Sequence, residues 1–168
     1  MDQEAFRQTY RDLNECFCPF ERPILMNRCR CPQAERFCIA EREGVECQSQ
    51  LAQQQCRDFL ETLRENARFA LKSRDNLNPL PHGKAMRLQL GGLRGLHLAL
   101  YPHQPIPEPI GDVHGLLSDC VGQFGGVQAL PFQTLIQQVA EYREPKRHTR
   151  RQRRPAASDP LDPSDKGA

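Results

Sequence analysis

At 168 residues with a formal net charge of +2, the chain has room for one domain, or one domain and a small satellite. No apolar run approaches the roughly 20 residues of a membrane span, and residues 1–14 are polar, without the apolar segment of a secretory signal. Composition therefore points to a cytoplasmic protein with no membrane association, where thiols stay reduced and dense cysteine favours metal over a disulfide framework.

Charge is unevenly spread. Residues 1–142 carry 15 basic against 17 acidic side chains, whereas residues 143–154 carry seven basic ones against Glu144 alone.

Taken in order, residues 2–14 predict a short amphipathic helix, with Phe6, Tyr10 and Leu13 on one face. Residues 16–31 read as loop, punctuated by Pro19 and Pro23. Pro32 suits the first position of a helix and Gly44 its end, so residues 32–43 are expected to be helical. Residues 49–72 form the strongest helical pattern, with Ala52, Cys56, Phe59, Leu60, Leu63, Ala67, Ala70 and Leu71 in one apolar stripe. Turn residues at 74–83 mark an internal boundary. Residues 84–101 predict a helix interrupted at Gly91–Gly92, and 102–111 a proline-rich connector. Asp112 is placed to N-cap a helix over 113–124 that Gly125 closes, and Pro131 opens a last helix to Tyr142. No stretch alternates as a strand does. The expected fold is all-α, a small helical bundle. It divides into residues 1–75 with the cysteine-rich segment, a helical part over 84–143, and a tail over 144–168 whose composition predicts disorder.

Seven of the eight cysteines fall between positions 16 and 56: Cys16 and Cys18, Cys29 and Cys31, then Cys38, Cys47 and Cys56. Cysteine this dense serves metal binding, disulfides or redox chemistry rather than packing. In extended backbone, residues i and i+2 project to one side, so each Cys-x-Cys pair aims two sulfurs together. Four thiolates suit a tetrahedral zinc or an iron–sulfur cluster. Cys16, Cys18, Cys29 and Cys31 lead as ligands, with Cys38, Cys47 and Cys56 behind them. The spacing matches neither the zinc-knuckle nor the ferredoxin pattern, so it does not identify the metal. Ligands dispersed over 41 residues, some on helices, and few neighbouring histidines favour an iron–sulfur cluster over zinc. Copper(I), thiol redox chemistry and disulfides remain as other uses. Cys38 and Cys56 also fit as small apolar residues on buried helical faces, and Cys120 fits as core.

No phosphate-cradling glycine loop, no Ser/His/Asp set and no paired carboxylates stand out, which gives no support to a hydrolase or transferase. An accessory, electron-transfer or redox-sensing role, exercised with a protein partner, follows. The rival reading is a zinc-stabilised helical regulator. It would touch nucleic acid or another anionic partner through Lys146, Arg147, Arg150, Arg151, Arg153 and Arg154.

Overall fold

Two antiparallel strands stand where a helix was expected. The structure, a computed structural model, describes residues 3–73 and 78–145. It consists of α1 (Gln3–Leu13), α2 (Glu21–Leu25), β1 (Ala34–Ile39), β2 (Arg42–Cys47), α3 (Gln50–Asn66), α4 (Arg68–Leu71), α5 (His82–Leu100), α6 (Val113–Phe124), a single 3-10 turn (Val127–Ala129) and α7 (Phe132–Glu141). The described residues are 58% helical but include a two-stranded sheet, so the all-α expectation is corrected.

The correction has a physical reason. Six residues are too few to separate a period of 2 from one of 3.6, and Pro32 and Gly44 mimic helix ends. What decides is tertiary packing. Phe37 lies directly opposite Gly44 across the hairpin, and its ring meets that of Tyr10 on α1 at 5.7 Å. A side chain at position 44 would overlap the Phe37 ring. Gly44 is therefore a packing glycine in β2, not a helix terminator. The strands turn at Ala40–Glu41, with Ala40 in the left-handed region at φ 54°, a conformation that favours glycine or asparagine.

Most other elements follow the expected signals. Ser49 caps α3 by accepting from Ala52 N–H, and Asp112 caps α6 by accepting from Gly115 N–H at 2.8 Å. Gly125 closes α6 in the left-handed conformation at φ 89°. The stripe expected to run unbroken over 49–72 is divided at Ala67 into α3 and α4. Of the turn segment at 74–83, residues 74–77 lie outside the described residues, as does the tail from residue 146.

Helix α5 runs unbroken through Gly91–Gly92, where an interruption was expected. Those glycines are contact points. A Cβ at Gly91 would sit 2.6 Å from Val139 Cα, and one at Gly95 would sit 2.6 Å from Leu135 Cα. They let α7 lie close against α5, and the guanidinium of Arg87 then donates to the carbonyls of Val139 and Ala140 at the end of α7 and of Ala70 in α4. One hydrophobic core joins both halves of the chain, from Cys18 and Phe20 through Phe59, Leu63 and Leu93 to Leu135 and Val139. No helix among the described residues is long and apolar enough to cross a membrane.

Gly91→Ala should destabilise the protein by about 1–3 kcal/mol through overpacking. Gly83→Ala, in the same helix with nothing within 4 Å of the added carbon, should be neutral or stabilising by up to ~1 kcal/mol. Urea unfolding of the two variants separates these outcomes.

Candidate metal centre

The first cysteine pair is extended backbone laid along the free edge of β2. Cys18 N–H donates to Val45 O at 3.0 Å, and Cys47 N–H donates to Cys16 O at 2.7 Å. These bonds bracket the antiparallel bridge between Phe17 and Glu46, which sets Cys16 opposite Cys47 and Cys18 opposite Val45. The pleat then sorts the side chains. Phe17 is exposed on one face, and Cys16, Cys18, Val45 and Cys47 are buried on the other. Glu21 locks this arrangement. Its carboxylate accepts from Val45 N–H at 2.9 Å and from the Tyr10 hydroxyl, which in turn accepts from Asn14 Nδ2.

The second pair is pinned to the other half of the chain. Cys29 bridges Ile110 in parallel, Arg30 N–H donates to Ile110 O at 2.8 Å, and Val113 N–H donates back to Arg30 O at 2.9 Å. Arg30 is exposed between the buried Cys29 and the half-buried Cys31. This delivers the Cys31 sulfur to the start of α6, where the backbone N–H groups of His114 and Gln33 donate to it. The same helix meets α3 through Gln55, whose Oε1 accepts from Ser118 Oγ and lies 3.1 Å from His114 Nε2. Cys56 stands one residue beyond Gln55, buried on the inner face of α3.

Six thiols thus gather from four places in the chain. Cys18, Cys31, Cys47 and Cys56 form the inner set, in which each lies close enough for its charge to act on the other three. Cys29 lies near enough to Cys18 and Cys31 for their charges to act on it, and Cys16 hydrogen-bonds to Cys47. Burial comes first in their electrostatics. It pushes Cys18 and Cys56 up to about 12, with neighbouring thiols adding to the rise. Cys29, with no exposed surface, is raised further, and Cys16 and Cys31 are raised as well, again first by burial.

Against that, backbone N–H groups point at the sulfurs: Phe20 at Cys18, and Gln33 and His114 at Cys31. Such donors stabilise a thiolate and are the partners that ligating sulfurs use. Among the described residues, no three His, Cys, Asp or Glu side chains stand close enough together to hold a single metal ion.

The remaining candidates are elsewhere. Cys38 shares the inward face of the hairpin but lies four residues from the Ala34–Cys47 pair, about 13 Å along the strand, and it is exposed. Cys120 is buried in α6, where its thiol donates to Leu96 O at 3.4 Å. Lys146, Arg147, Arg150, Arg151, Arg153 and Arg154 lie outside the described residues. The supporting groups, Glu21 and the amides of Phe20, Gln33 and His114, carry no residue-type signal. Only the position of Asp112 as an N-cap hinted that a helix start would face the thiols.

The raised thiols make the metal-free chain alkali-sensitive. In the unfolded chain a thiol ionises near 8.5; in the folded one Cys18 and Cys56 hold their protons to about 12. Stability is full below the unfolded value and falls as pH rises toward the folded one. The loss is about 2 kcal/mol per buried thiol between pH 8.5 and 10. Denaturant unfolding of the metal-free chain across that range should show the decline, and Cys56→Ser should lessen it by one thiol's share. A flat profile in the parent chain would contradict the burial.

Comparison with known proteins finds no match: no family model, no curated protein and no solved structure corresponds to this chain.

Proposed function

We propose that this chain is an iron–sulfur protein with an accessory, electron-transfer or redox-sensing role. The observation that carries the reading is the convergence of Cys18, Cys31, Cys47 and Cys56. They come from a strand edge, a pinned loop, the end of β2 and the second turn of α3, and they lie near enough for their charges to interact, Cys18 and Cys56 in the main core, Cys47 in the smaller cluster and Cys31 half-buried.

The residues fit such a group chemically. The donor set is all sulfur, which selects soft and iron–sulfur centres over hard cations. Amide N–H groups are already aimed at two of the sulfurs. The thiols are neighbours, yet they do not close around one ion. A single zinc needs its four sulfurs about 3.8 Å apart, as follows from Zn–S bonds of about 2.3 Å in a tetrahedron. A polynuclear cluster takes its ligands at wider spacing than a single zinc.

In this reading Cys18, Cys31, Cys47 and Cys56 are the ligands, with Cys29 beside Cys18 and Cys31 and Cys16 beside Cys47. A cluster would supply one-electron chemistry. The chain would supply burial, which excludes water, and the N–H donors, which tune the potential. Phe17 and Arg30 are exposed between the paired cysteines, where a partner protein would meet the surface beside them. The zinc-containing regulator is the competing outcome.

Cys56→Ser and Cys18→Ser should lose bound metal to near zero, while Cys38→Ser and Cys120→Ser retain the parent content. Elemental analysis of the four purified variants decides the point. Equal metal content across all four would remove the ligand assignment.

A further inference from the structure

Cys16 and Cys47 form a pair with its own geometry. They are opposite one another on neighbouring antiparallel strands, at a position where Cys47 N–H donates to Cys16 O. Facing residues at such a hydrogen-bonded position stand about 5.5 Å apart at Cα, inside the roughly 4.4–6.8 Å that a disulfide spans. Their side chains point to the same face and hydrogen-bond to each other, and the Cys47 thiol also reaches Ser49 O at 3.2 Å. With Ala52 they form a small apolar cluster separate from the main core. Both are nearly covered, at 8% and 7% exposure, and the Cys16 segment is the edge of the sheet.

We propose that Cys16 and Cys47 are a reversible dithiol–disulfide site whose oxidation withdraws Cys47 from the inner thiol set. The reaction needs a two-electron oxidant of the peroxide class. One thiol is oxidised to a sulfenic acid as the peroxide O–O bond breaks and water leaves. The second thiol then displaces hydroxide from that sulfur, forming the S–S bond and releasing a second water. Overall, two thiols and one hydrogen peroxide give one disulfide and two waters. A dithiol reductant reverses it through thiol–disulfide exchange. Cys16 thereby acquires a role that ligation does not give it. It competes with the metal for Cys47.

The link to the metal rests on the cluster reading, whereas the disulfide itself does not. The test begins with the full-length, metal-free chain. It is treated with hydrogen peroxide, its free thiols are blocked, and it is digested and mapped by mass spectrometry. The expected product is a Cys16–Cys47 cross-link that disappears in Cys16→Ser, persists in Cys18→Ser and is removed by dithiothreitol. Because the parent chain is mapped directly, a failure of either variant to fold does not obscure the result. A cross-link from Cys47 to any other cysteine, or no cross-link with Cys16 and Cys47 still free, overturns the proposal.

The metal-loaded chain is then treated in the same way. Peroxide should release iron from the parent chain in step with the cross-link, and more slowly from Cys16→Ser. Equal release rates overturn the competition for Cys47. If the cross-link forms but the chain never takes up metal, the dithiol site stands and the cluster reading falls.

Discussion

Two backbone hydrogen bonds, from Cys18 N–H to Val45 O and from Cys47 N–H to Cys16 O, organise the thiol site. They convert a polar, proline-flanked loop into a strand edge. Once the loop is extended, the pleat turns Cys16 and Cys18 inward and Phe17 outward, without any side chain having to specify the direction. The same pairing fixes where Cys47 stands, and Cys47 leads through Ser49 directly into α3, which carries Cys56. Glu21 holds the pairing from the side through Val45 N–H and Tyr10. Losing the edge pairing would scatter the sulfurs even with every cysteine intact.

Burying these thiols is costly if they must ionise. Holding Cys18 or Cys56 as a thiolate in the metal-free chain costs about 4 kcal/mol, from the rise of 9.0 to about 12 at about 1.4 kcal/mol per pH unit. Thiolate metal sites return about 10–16 kcal/mol in small zinc domains, and in the proposed reading a bound cluster would offset this cost. In the metal-free chain the buried thiols stay neutral, and in the proposed reading folding and metal binding would be linked. The N–H groups aimed at Cys18 and Cys31 lower the cost of the thiolate form.

Much of the scaffold was legible because its signals are local. Asp112 and Gly125 bracket α6, Ser49 caps α3, Pro131 precedes α7, and the α3 stripe from Ala52 to Leu63 declares its buried face. The hairpin was not legible, because its deciding contact joins Phe37 to Gly44 and to Tyr10, residues from separate parts of the chain. Gly91 misled in the same way. Glycine in a helical pattern reads as an interruption, yet here its missing side chain is what α7 packs against. The inward aim of each Cys-x-Cys pair could be read from the period of extended backbone. That Cys47 and Cys56 rather than Cys16 and Cys29 complete the inner set could not, since it depends on strand register and on α3 crossing the hairpin.

The most direct test is iron and acid-labile sulfide analysis of the full-length parent chain purified without oxygen, read together with its visible absorption. The account predicts a coloured protein with matched iron and sulfide, bleached by oxidant. A colourless protein carrying one zinc, or one with no metal and all of its thiols free, would contradict it.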